Sequence, residues 1–216
     1  MNSRILHSDR DLYFLCRNEP KPDNEKWGTV LCESDTHGKA VSAYYSPFDA
    51  MVDALFDTDS IGRYRAVHST SFDLSDFIAD HDNQLALSFQ VAWGANKDRI
   101  LLRPSGKFAA CAITSRSSIN EDGHVVHLPT PSLANQLHLR LLAVSGIDDW
   151  HSSIDEFNSL LLHEREEVVT NAVRQIQGTC SDSGGCDQLA LYDLSARKWK
   201  FAPYSLFEDL LKNYRI

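Results

Sequence analysis

Eight aspartates lie between Pro47 and Asn83: Asp49, Asp53, Asp57, Asp59, Asp73, Asp76, Asp80 and Asp82. Arg63 and Arg65 are the only bases in that stretch, so it holds −6 of a formal net charge of −9. Carboxylates gathered in this way can bind a divalent cation or meet a cationic protein surface. The spacing does not match the D-x-D-x-D-G run of a calcium loop, which leaves the protein surface as the better reading.

Asp49, Asp73 and Asp76 have a local explanation as caps and first-turn residues, because a helix N-terminus favours negative charge. Asp53, Asp57, Asp59, Asp80 and Asp82 have none. Asp57 with Asp59, and Asp80 with Asp82, fall at or just past the C-terminal ends of two expected helices. There the helix dipole disfavours an anion by about 0.3–1 kcal/mol each. The five are therefore read as a docking patch for a basic partner. Short carboxylates lose little rotamer freedom on ordering, and such a patch speeds encounter with a cationic surface. Tyr44, Tyr45, Phe48 and Tyr64 flank the patch, and Tyr45 and Tyr64 are expected to supply the aromatic anchors that charge alone lacks. If these rings are buried, the patch only steers. The competing structural explanation is that Arg63 and Arg65 pair with the aspartates and solvent takes the rest.

Other constellations carry less. Ser181-Asp-Ser-Gly-Gly185 resembles the surroundings of a trypsin-like nucleophile, but no His-Cys pair of the kind that carries the base accompanies it, and Cys186 follows where a proline is expected. The same glycines are not followed by the Lys-Ser/Thr pair of a phosphate loop. His124 and His127, with His138 further on, share neither a strand face nor an i, i+4 helical face, so no metal site is expected. No cofactor is expected either. Five cysteines, Cys16, Cys32, Cys111, Cys180 and Cys186, show no regular spacing and are read as free thiols, with a facultative Cys180–Cys186 disulfide as the alternative.

The totals bound the class. A pI near 5.4 argues against a nucleic-acid backbone as direct partner. No apolar run reaches the roughly 18 residues of a membrane helix, and the first ten residues lack an apolar signal core, so a cytoplasmic protein is expected.

Local pattern places these residues on elements. Leu85, Leu87, Phe89, Val91 and Trp93 alternate with smaller or polar residues, the pattern of a strand with one buried face. Ser46-Pro47-Phe-Asp49 is a helix start, followed by an i, i+3, i+4 stripe of Phe48, Met51, Val52, Leu55 and Phe56. A short helix is expected from Asp73 to about Asp80. Leu133 to Val144 fits both periods and is read as helix, capped by Ser132 and stopped by Gly146. Ser152 to Gln177 reads as one long helix with Ile154, Phe157, Leu161, Val168, Ala172 and Ile176 inward. Leu189 to Ala202 reads as a hairpin, and Ser205 to Asn213 as a terminal helix. Strands and helices mix without strict alternation.

The expected fold is therefore α+β, a single domain over 1–216 with an antiparallel or mixed sheet and three to five helices, and with a weak subdivision near 129–131 as the alternative. The expected function is that of a non-enzymatic acidic module that binds and neutralises a basic protein, like an immunity protein or an antitoxin to a toxin or effector. The reading from another class is a hydrolase using a Cys or Ser nucleophile with His, or an Asp-bound metal. Convergence of a His, an acid and a nucleophile in a deep pocket would distinguish it.

Overall fold

The structure, a computed structural model, describes residues 4–17, 30–35, 38–55, 64–104, 106–119, 125–127, 130–176 and 185–212. In chain order its elements are β1 Ile5–His7, β2 Tyr13–Arg17, β3 Cys32–Asp35, β4 Gly38–Tyr44, α1 Pro47–Leu55, β5 Tyr64–His68, α2 Ser75–Asp80, β6 Gln84–Asn96 and β7 Arg99–Ile100. There follow β8 Ala110–Ser118, β9 Val125–His127, α3 Ser132–Ser145, α4 Trp150–Ser159, α5 Leu162–Arg174, β10 Gln188–Asp193, β11 Lys198–Pro203 and α6 Glu208–Leu211. The fold is α+β with mixed strand pairing, and its six described α-helices are one more than the expected range allowed.

The chain falls into two compact units, Met1–Gln90 with Ile113–Pro131, and Val91–Ala112 with Ser132–Ile216. In the first, β2 pairs antiparallel with both β4 and β5, β3 pairs antiparallel with β4, and β4 runs parallel to the first half of β6. Strand β1 pairs parallel with β9. In the second, β10 and β11 form the expected hairpin, with Arg197 in the left-handed region at its turn, and β10 pairs antiparallel with Trp93–Ala95 of β6.

Helix α1 forms as its start predicts. Ser46 Oγ accepts from Asp49 N at 3.0 Å and donates to Asp49 Oδ2 at 2.6 Å, which satisfies one exposed donor of the first turn and holds Asp49 buried. Helix α3 stops where Gly146 takes φ +64°, and Ile147 N closes back onto Leu142 O at 3.0 Å.

Two expectations are corrected. The first concerns β6, which is buried on both faces rather than one. Leu85, Leu87, Phe89, Val91 and Trp93 are fully or almost fully buried, and so are the alternating Ala86, Ser88, Gln90 and Ala92. The pairing register puts Ser42 beside Ser88 and Tyr44 beside Gln90 on the second face, which α1 reaches through a Tyr44–Asp53 hydrogen bond. Small or hydrogen-bonding side chains let that face be covered, and their polarity disguised it in the sequence.

The second correction concerns the long helix, which is two helices. Leu160 and Leu161 are extended (ψ 150° and 156°), and side chains cap both sides of the interruption. The Arg165 guanidinium donates to Leu160 O and Asn158 O, while the Glu164 carboxylate accepts from Leu161 N at 2.7 Å. Groups that a continuous helix would have bonded along its backbone are satisfied sideways. The buried stripe is accordingly Trp150, Ile154 and Phe157 on α4 and Val168, Val169 and Ala172 on α5, and Leu161 points to solvent. Replacing Glu164 by Ala should destabilise the protein by about 0.5–2 kcal/mol, the usual worth of a cap. Urea unfolding measures this, and an unchanged midpoint would show the break to be held by something else.

Candidate functional site

Helix α2 begins from an aspartate loop. Asp73 Oδ1 accepts from Ser75 N at 2.9 Å, from Ser75 Oγ at 2.6 Å and from Arg4 N at 2.9 Å, so Asp73 serves the fold as expected. Phe77 and Ile78 bury the inner face of the helix. The helix closes with Asn83 N on Ile78 O at 3.0 Å, and Asp82 and Asn83 then take φ +54° and +58°. His81 Nδ1 meets Phe77 O at 2.7 Å, so that nitrogen is the donor, and its ring stacks on Phe77 with centroids 4.1 Å apart.

This turn holds Asp80 and Asp82 out into solvent. Neither side chain forms a hydrogen bond or ion pair among the described residues. Together with Gly38, Lys39, Phe77, His81, Gln84, Ala86 and Arg116 they line a depression of about 230 Å³ in the first unit. Lys39 and Arg116 were not the cations expected beside the patch. Arg65 is exposed on β5, and Arg63 lies outside the described residues. Asp82 also has a structural reason to be there that the helix-dipole argument overlooked, since Asp and Asn tolerate the left-handed region better than other side chains with a Cβ.

The other expected site residues do not join this pair. Asp57 and Asp59 lie outside the described residues. Asp53 is half-buried and accepts the Tyr44 hydroxyl at 2.6 Å. The Tyr44 phenol is held far above its usual range, first by burial and then by the Asp53 and Glu33 charges. Of the two expected aromatic anchors, one is closed off. Tyr45, the residue after β4, is only 6% exposed, so its ring is closed to a partner. Tyr64 is half-buried under the Arg17 guanidinium, which sits 5.6 Å from the ring centroid, and it accepts from Arg17 Nε at 3.1 Å. The Tyr45 ring thus serves the interior, while the Tyr64 ring keeps part of its surface exposed.

The residues that a hydrolase would use are arranged differently. Thr70 Oγ1, His68 and Asp11 form a hydroxyl–imidazole–carboxylate chain, with 2.7 Å at Nδ1 and 3.3 Å at Nε2. His68 also accepts from Thr70 N at 3.3 Å, the bond of a cap two residues away, and Asp11 is 73% exposed, so the chain lies in water rather than in a pocket. Burial pushes the Cys16 and Cys111 thiols up to about 12. Burial raises Cys186 as well, so these three are thiols near neutral pH, not the thiolates that attack. Iodoacetamide at pH 8 should therefore leave Cys16 and Cys111 unmodified in the folded protein and label both in urea, as peptide mass mapping can check. Rapid native labelling would contradict this burial. No group of three His, Cys, Asp or Glu is placed to hold a metal ion among the described residues. His138 is buried against Trp150, with rings 5.1 Å apart. His124, the His127 side chain, Cys180 and Ser181–Gly184 lie outside the described residues. No helix among the described residues is long and apolar enough to cross a membrane.

A second acid-rich stretch lies outside the expected patch. Residues 148–174 contain seven carboxylates and two arginines, a net −5. Within it Leu161 and Leu162 are exposed, and a groove of about 180 Å³ opens beside Leu160 in the second unit. The signal was present in the run Leu160-Leu161-Leu162, because three adjacent apolar residues wrap around a helix instead of sharing one face. Compared with family models, curated proteins and solved structures, the chain matches none.

Proposed function

We propose that this chain is a non-catalytic, cytoplasmic acidic module that binds a basic protein and blocks it, as an immunity protein or antitoxin does. The observation that carries this reading is the state of Asp80 and Asp82. The end of α2 and the turn after it leave both carboxylates exposed to solvent, and nothing among the described residues bonds to them. Their charges act within a field whose overall sign is set by a net charge of −9. Such a surface attracts cations before contact and repels polyanions. Specificity follows because a partner lacking a matching cation leaves a carboxylate desolvated and unpaired on docking.

The test is to recover the full chain from the cell that makes it, identify what accompanies it, and assay that protein with and without the chain. A companion of net positive charge whose activity falls on addition of the chain is the expected result. An acidic companion, or one whose activity is untouched, contradicts the reading.

A further inference from the structure

The interruption between α4 and α5 forces apolar side chains outward. Leu161 and Leu162 are 64% and 57% exposed, more than any other large apolar side chain described. Beside them lies the groove of about 180 Å³, floored by Phe157, Leu160, Val168 and Leu194, with Glu156 and Arg197 at its margins. It is smaller than the roughly 300 Å³ at which sites for drug-sized ligands begin, and suits a single large side chain. The surroundings are acidic. Asp155, Glu156, Glu166 and Glu167 are exposed, while the Arg165 guanidinium is turned onto the carbonyls of Asn158 and Leu160.

We infer that this elbow is where a cationic amphipathic segment of the basic partner docks, with one aliphatic or aromatic side chain in the groove and its lysines or arginines against the carboxylates. The inference rests on the proposed function and gives it a contact surface. Charge selects the occupant, because a second copy of this chain would set the exposed Asp155, Glu156, Glu166 and Glu167 against their own copies, with Arg197 at the groove to offset only part of that charge, and like charges brought together across an interface oppose association. An uncharged apolar partner would leave the carboxylates desolvated and unmatched. The work is thereby divided. Asp80 and Asp82 act at a distance, and the elbow supplies the buried apolar contact on which affinity concentrates.

The experiment uses the full chain and two synthetic peptides of equal length and charge, one with leucines at helical spacing among lysines, the other with leucines replaced by serine. Binding is followed by backbone amide NMR shifts, and circular dichroism checks that each variant is folded. The Lys/Leu peptide should bind at least tenfold more tightly than the Lys/Ser peptide and shift residues 153–168 and 194–197. A Leu161→Ser, Leu162→Ser variant should lose that advantage. Glu156→Gln, which leaves the apolar surface intact, should weaken both peptides. Shifts centred on Asp80 and Asp82, unaffected by the leucine changes, would overturn the elbow and leave the acidic-module reading standing. If neither peptide binds, that reading fails and the elbow with it. A dimer of the unaltered chain that the leucine changes turn into a monomer would also overturn the proposal, by making a second copy the occupant.

Discussion

Converting Asp80 and Asp82 together to Asn should slow association with the proposed basic partner by about tenfold at low salt, within the range that electrostatic steering covers. The fold survives the change. Asn adopts the φ of +54° at position 82 as readily as Asp, and neither carboxylate bonds to anything described, so no donor is orphaned. Removing a negative charge from the C-terminal end of α2 relieves an unfavourable dipole contact, which should leave stability equal or slightly higher. Stopped-flow association together with a thermal melt separates the two effects. An unchanged association rate in a folded variant would remove these residues from the binding account.

The largest loss of stability falls in the second half of β6. Trp93 is fully buried, with its ring edge-on to Phe108 at 5.5 Å. Trp93→Ala removes that packing and opens a cavity, at a cost of about 3–5 kcal/mol. Domains commonly have only about 5–15 kcal/mol of total stability, so the variant should unfold at much lower urea. A loss below about 1 kcal/mol would mean that the surroundings collapse around the gap, or that this strand is not the core it is taken to be.

Features written locally were legible in the sequence. Ser46, Pro47 and Asp49 announce α1 because capping depends on neighbours three residues away, and Gly146 marks the end of α3 for the same reason. Features decided by distant partners were not. That β6 lies parallel to β4 depends on where the chain returns after α1, β5 and α2, which periodicity does not encode. The burial of Ser88 and Gln90 depends on what covers their face. The break at Leu160 and Leu161 rests on Glu164 and Arg165 turning back on the chain, and those residues look like ordinary exposed helix charges until their bonds are seen. The site divides likewise. Asp80 and Asp82 stand out at the end of a short helix as expected, whereas the half-buried Asp53 is taken up by the Tyr44 hydroxyl and Tyr45, just past β4, is buried in the first unit.

The central claim is that negative charge on this chain draws in a positive partner. Its most direct test is the association rate with the recovered partner, measured from about 0.01 M to 1 M salt, over which the screening length falls from roughly 30 Å to 3 Å. The account predicts a steep fall in that rate with salt, and a much weaker dependence for the Asp80→Asn, Asp82→Asn variant. A rate that stays constant over the whole range would contradict it.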